Sequence, residues 1–155
     1  MCDFKQKFGD DRQMISYLFT YGTLLSGIAH PMHELIESYA SLQGVGHING
    51  KLYDVGGYPG LVLSNNAKKV VKGEIYLIQN ETMLFKYLDD YEGCAAFSRQ
   101  PYEYQRDIVT VRDEQDRNLL AWAYLFKHPV EQLQLISAGD YLSYRRHGRL
   151  KASNV

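Results

Sequence analysis

Ile48-Asn49-Gly50-Lys51-Leu52-Tyr53-Asp54-Val55, Gly56-Gly57-Tyr58-Pro59-Gly60 and Leu61-Val62-Leu63 follow one another without interruption, and this stretch decides the fold. Its outer pieces are apolar and β-branched at strand spacing, and its middle holds three glycines and a proline, residues that reverse a chain. The same texture recurs downstream over 70–78, 102–112 and 119–126, and upstream over 15–21, where the run closes on Gly22. About five or six strands are predicted, with a hairpin loop over 113–118. Two helices interrupt them. Pro31 opens the first, with Met32, Leu35, Ile36 and Tyr39 at helical spacing as far as Gly44. The second runs from 81 to about 92, capped by Asn80 or Thr82 and stopped by Gly93. Helices do not alternate with strands, so the pattern predicts an α+β domain, a small curled or closed sheet flanked by helices, over a doubly wound α/β fold. One domain is expected over 15–150, after a polar N-terminal arm, 1–14, and before a tail, 151–155.

A chain of 155 residues, 45% hydrophobic and 23% charged, can bury a core without metal or disulfide staples. Its two cysteines, Cys2 and Cys94, make no disulfide framework and are not spaced with histidines as zinc ligands are, which points to a reducing, cytoplasmic setting. A net charge of -1 argues against a protein that neutralises phosphates or lies on anionic membranes. The basic run 145–151 reads as a solvated C-terminus. No signal-like N-terminus and no run of about twenty apolar residues occurs. Small molecules are the expected partners, without nucleic acid, membrane, metal or cofactor.

Chemistry concentrates in Leu84-Phe85-Lys86-Tyr87-Leu88-Asp89-Asp90-Tyr91-Glu92-Gly93. Leu84, Leu88 and Tyr91 form an apolar stripe, and Glu92, four residues after Leu88, extends its row inward. Lys86 and Asp90 are a pair that can sit in water. Three acids crowd a helix end that favours cations, and an inward acid there has its charged form disfavoured by burial and by the helix dipole alike. Tyr21-Gly22-Thr23-Leu24 is a strand running into a sharp turn, a geometry that can aim main-chain N–H groups at a carboxylate or an oxyanion. The loop 56–60 permits close backbone approach to a ligand, or simply reverses the chain. Cys94 lacks a placed histidine and reads as a structural thiol; His30 and His33, with Glu34 or Glu37 nearby, lack a third metal ligand. Tyr141 and Tyr144 are placed over the barrel or the pocket mouth.

The ordered series Tyr21-Gly22-Thr23-Leu24, Lys51 to Val62, Val71-Lys72-Gly73-Glu74-Ile75-Tyr76, Leu88 to Gly93, Tyr104-Gln105-Arg106 and Ala121-Trp122-Ala123-Tyr124 resembles the γ-glutamylcyclotransferase-like (AIG2-like) family. The form of its first motif is most similar to the γ-glutamylamine cyclotransferase branch and its bacterial relatives. The resemblance implies a small mixed β-barrel flanked by helices, with a pocket between the first loop and the end of the second helix. It implies Glu92 as the general acid/base and Tyr21, Gly22, Thr23 and Leu24 as substrate-binding residues, to which the capacity of the 56–60 loop for close approach adds Gly57, Tyr58 and Pro59. The implied reaction cyclises a γ-glutamyl amine or dipeptide to 5-oxoproline and releases the amine. A non-catalytic small-molecule-binding module on the same scaffold is the competing reading, because a fold alone does not specify function.

Overall fold

The computed structural model describes residues 15–22, 24–28, 30–92 and 103–153, the last six of these as backbone only. Its elements are β1 (Tyr17–Thr20), α1 (Pro31–Tyr39), β2 (Ala40–Asp54), β3 (Pro59–Leu63), β4 (Val70–Ile78), α2 (Glu81–Tyr91), β5 (Tyr104–Asp113), β6 (Asn118–Phe126), β7 (Gln134–Leu135) and α3 (Tyr141–Ser153).

Five strands close into a barrel in the order β2-β4-β1-β6-β5, and β5 returns to β2 through Gly46↔Asp113 and His47↔Arg112. The barrel is mixed, since β1 pairs β6 in parallel and the other neighbours are antiparallel. The 15-residue β2 outruns the barrel; its far end, from Gly50 to Asp54, pairs instead with β3, and Tyr53 and Asp54 also pair with β7. This continuation carries the glycine-rich loop beyond the barrel rim, toward the end of β1.

Alternation explains why several strands read as unbroken apolar runs. On β6, Ala121, Ala123 and Leu125 join the cluster that contains Phe19, Ile48, Val71, Ile75 and Val111, whereas Trp122, Tyr124 and Phe126 join the cluster packed on Ile36, Leu84, Phe85 and Leu88 of the two helices. Both faces are covered, so polar residues do not alternate with apolar ones there. Asn80 caps α2 by accepting the Met83 N–H at 3.1 Å. Leu84 and Leu88 are buried as the stripe requires, but Tyr91, expected to share it, is 39% exposed at the helix end.

Helix α1 stops at Tyr39 rather than at Gly44. Ala40 is already extended, and Ala40 to Leu42 pair with Ile78 to Tyr76 of β4, so strand pairing overrides the helical continuation; the bulge between Leu42 and Gly44 then resets the register. The C-terminal helix is an addition: α3 crosses position 150 and includes the first residues assigned to the tail. Its polar, weakly periodic sequence carries no strong helical signature. The arm 1–14 lies outside the described residues.

Barrel closure leaves no room at Gly73, where an added Cβ would lie 2.2 Å from the Thr20 carbonyl oxygen and 2.5 Å from the Phe19 ring. Because one obstacle is backbone, relief requires β1 and β4 to separate. Gly73→Ala is expected to lower stability by about 2 kcal/mol or more, read as a drop in the urea midpoint at unchanged slope.

Candidate active site

Three segments converge at the rim where β1 ends. In the first, the chain leaves β1 through Tyr21 and Gly22 and winds into a turn in which the Leu25 N–H donates to the Gly22 carbonyl and the Ile28 N–H to that of Leu25, both at 3.0 Å. Glu74 of β4 fastens this turn: one carboxylate oxygen accepts the Ser26 N–H at 2.6 Å and the Tyr76 hydroxyl at 3.2 Å, and the other accepts the Ser26 hydroxyl. The phenol of Tyr21 is buried and donates to the Tyr124 carbonyl at 2.5 Å.

The second segment is the loop between β2 and β3. Gly56 and Gly57 have φ of 116° and 104°, a region that favours glycine, and Asp54 Oδ1 accepts both of their N–H groups, at 2.9 and 3.0 Å. These bonds, the Gly57 N–H foremost, hold the Asp54 carboxyl below the usual carboxylate range, and the Tyr144 hydroxyl adds to them at 2.8 Å. From α3, Tyr141 donates to the Gly57 carbonyl at 3.0 Å. The two loops meet where Gly22 faces Pro59, so closely that an added Cβ would lie 2.4 Å from the Pro59 Cγ.

The third segment is the end of α2, where Glu92 is the C-cap and its N–H returns to the Leu88 carbonyl at 2.8 Å. A cavity of about 290 Å³ lies among the three. Tyr21, Gly22 and Leu24 contribute to its wall from the first loop, Tyr58 and Pro59 from the second, and Tyr91 and Glu92 from the helix end. Glu103, Tyr104 and Tyr124 complete it from β5, its approach, and β6.

The acids at this end of α2 have separate fates. Asp89 is answered by Arg106, whose Nε and Nη2 donate at 2.9 and 3.2 Å, and by the Tyr124 hydroxyl at 2.7 Å; the guanidinium stacks over Phe85 and Trp122. Asp90 points to solvent. Glu92 is half-buried as a residue and has no ion-pair partner among the described residues. Burial of its carboxyl, reinforced by the negative charges of Glu103 and Asp89, pushes its pKa up to about 8. Four phenols of the wall are held above their ordinary range. Burial raises Tyr21, Tyr104 and Tyr124, and Tyr58 is pushed up to about 12 by the hydrogen bond it donates to Glu103 Oε1 at 2.6 Å. The site therefore holds a carboxyl that exchanges its proton near neutrality, surrounded by phenols that do not.

Six of the expected site residues, Tyr21, Gly22, Leu24, Tyr58, Pro59 and Glu92, line this one cavity. Gly57 does not; it stands behind the wall, held by Asp54 and Tyr141. Thr23 and Cys94 lie outside the described residues. His30 caps α1 by accepting the Met32 N–H, and His33 pairs with Glu37 at 2.8 Å, so the two histidines serve α1 separately. Glu74, Glu103 and the Asp89–Arg106 pair went unnoticed as site residues. Glu74 and Arg106 stand inside the quoted motifs, but their partners are strands away in sequence.

The family described as gamma-glutamyl cyclotransferase, AIG2-like, matches residues 18–143, a span that contains every wall residue named above. The chain belongs to this family. It is 35% identical over 128 residues to the gamma-glutamylcyclotransferase family protein YtfP of Escherichia coli K12, covering 81% of this chain and 95% of that one. Among solved structures it resembles an AIG2-like protein of Mus musculus with a TM-score of 0.64 and 26% identity, over 81% of this chain and 87% of the mouse chain. It also shares its fold with YkqA of Bacillus subtilis, TM-score 0.65 at 23% identity, matching 88% of this chain but only 43% of YkqA. Among the described residues no helix is long and apolar enough to cross a membrane.

The Gly22–Pro59 contact sets the width of the cavity. Gly22→Ala is expected to push the two loops apart and to lower stability by about 1–3 kcal/mol, read as a drop in the urea midpoint at unchanged slope.

Proposed function

We propose that this protein is a cyclotransferase that converts a γ-glutamyl amine or dipeptide to 5-oxoproline and the free amine. The observation that carries the reading is the Glu92 carboxyl, desolvated and poised near pH 8 in the same cavity wall as the Tyr21–Gly22 turn.

A γ-glutamyl compound contains its own nucleophile. Its α-amine attacks the γ-carbonyl, the new C–N bond closes a five-membered ring, and the bond to the leaving nitrogen breaks. The protein need supply no covalent nucleophile; holding the substrate folded is worth roughly 7–11 kcal/mol of the barrier. What remains is a proton removed from the attacking nitrogen and a proton given to the departing one. Ionised Glu92 takes the first and returns it as the second, a service worth roughly 10²–10⁴-fold when the pKa lies close to the working pH. Main-chain groups of the Gly22–Leu24 turn receive the glutamyl portion, and Tyr21, Tyr104 and Tyr124, fixed by their own hydrogen bonds, shape the pocket around it.

A binding module would use the same pocket without needing the proton. Glu92→Gln separates the two: as an enzyme, the chain loses 5-oxoproline production by about 10²-fold or more while remaining folded, and full turnover in that variant would remove Glu92 from this role.

The raised pKa also has consequences for pH. Catalysis requires the carboxylate, so kcat/KM is expected to climb toward pH 8 and flatten above it. Stability runs the other way. Between the ordinary value of 4.5 and about 8 the folded chain keeps a proton that the unfolded chain has released, so folding weakens as pH rises through this window. Glu92→Gln removes that loss and is expected to be more stable than the parent at pH 8 by up to about 4 kcal/mol, with the difference vanishing near pH 4 in denaturant titrations.

A further inference from the structure

The first loop of the cavity is gripped from β4 by Glu74 and from α1 by His33. Two successive peptide planes of the loop are held at both ends. The Leu24–Leu25 peptide donates its N–H to the Gly22 carbonyl at 3.0 Å, and its own carbonyl, that of Leu24, meets His33 Nδ1 at 3.2 Å. The next peptide donates the Ser26 N–H to Glu74 at 2.6 Å, and its Leu25 carbonyl accepts the Ile28 N–H. Leu24 is part of the cavity wall, so whatever orients its peptide shapes the pocket.

His33 pairs with Glu37 within α1, Nε2 to Oε1 at 2.8 Å, while Nδ1 reaches out of the helix to the loop. Both partners, a carboxylate oxygen and a carbonyl oxygen, can only accept. A neutral imidazole carries one N–H and serves one of them; the imidazolium carries two and serves both. Glu37 is the shorter contact and the charged one, so it keeps the single proton of a neutral ring. The Nδ1 lone pair then faces the lone pairs of the Leu24 carbonyl, and the loop loses this grip. Among the described residues, the titratable and charged groups facing the ring are Glu37 on α1 and, on β4, Tyr76, whose ring stands edge-on at 6.3 Å between centroids and whose hydroxyl donates to Glu74.

We propose that His33 is a positioning residue that holds the Gly22–Leu25 turn in its working shape through the Leu24 carbonyl, and that it does so fully only while its ring is protonated. The consequence for turnover rests on the cyclotransferase reading, in which this turn receives the glutamyl portion. The grip itself can be read with no substrate present.

Amide hydrogen exchange of the ligand-free chain, corrected for intrinsic rates, is the first measurement. In the parent, protection of the Leu25 and Ser26 amides is expected to fall about 10-fold as the His33 ring loses its proton, in step with the chemical shift of its C2 proton. Glu37→Gln places an amide that can also donate opposite Nε2, and is expected to abolish that dependence. Two substitutions separate the contacts: the amide nitrogen of Asn stands in for Nδ1 and that of Gln for Nε2. With the parent ring protonated as reference, His33→Gln is expected to lose about 10-fold of protection and His33→Asn less than about 3-fold. Turnover of γ-glutamyl-methylamine, at the same pH, reads the consequence. KM for 5-oxoproline release is expected to rise about 10-fold in His33→Gln with kcat within about 3-fold, and to return in His33→Asn. Protection in the parent that ignores the His33 titration overturns the dependence on its proton, a result that needs no variant to fold. Protection unchanged in His33→Gln overturns the grip, and protection lost with KM unmoved overturns the positioning role. Protection lost as expected, with no product from the parent, sustains the grip and sinks the cyclotransferase reading.

Discussion

The close approach of Gly22 to Pro59 is the contact on which the rest of the site depends. Barrel closure brings the end of β1 to the far end of β2, and only a residue without a side chain lets the two loops touch at that distance. Two of the three wall segments hang on the two sides of this contact, and the end of α2 faces them. Glu74 clamps the first loop from β4, while Asp54, Tyr141 and Tyr144 clamp the second from β2 and α3. The glycines allow the approach, and the polar clamps make it rigid, which a site working by orientation requires.

Within that frame, two carboxyl groups three positions apart on one helix acquire opposite characters. Asp89 faces Arg106 and is neutralised by a bidentate contact, the guanidinium resting against the rings of Phe85 and Trp122. Glu92, one turn further, faces a cavity in which its neighbours are phenols and another acid. The difference lies in the partner each meets, and it divides structural from chemical duty: a paired acid anchors the helix, and an unpaired, desolvated one can exchange a proton near neutrality. Arg106 thus serves Glu92 indirectly, by settling Asp89 and with it the last turn of α2.

Much of this was legible in the order of residues. The strand texture, the two glycine-bearing loops and the inward row of α2 follow from local periodicity, which the chain obeys because both barrel faces and the helix stripe are buried. The end of α1 was not legible: Met32 to Tyr39 keep helical spacing, and nothing local announces that Ala40 will pair with Ile78. The helix α3 escaped notice because its apolar content is low and its role is carried by the hydroxyls of Tyr141 and Tyr144. Gly57, expected from the freedom of glycine to approach a ligand, is not among the residues that line the cavity, and its amide and carbonyl are engaged by Asp54 and Tyr141, partners that no local pattern names.

By itself the sequence determined the α+β class, the motifs of the family and the identity of the inward acid, since each is written in neighbours along the chain. Which groups surround that acid was decided only by tertiary structure. Glu103 and Tyr58, 45 residues apart, share one hydrogen bond, and Glu74 holds a serine 48 residues away, because a barrel strand finds its partners across the sheet and not along the chain. Local pattern reports which face of an element is buried; it carries no information about what will be met there.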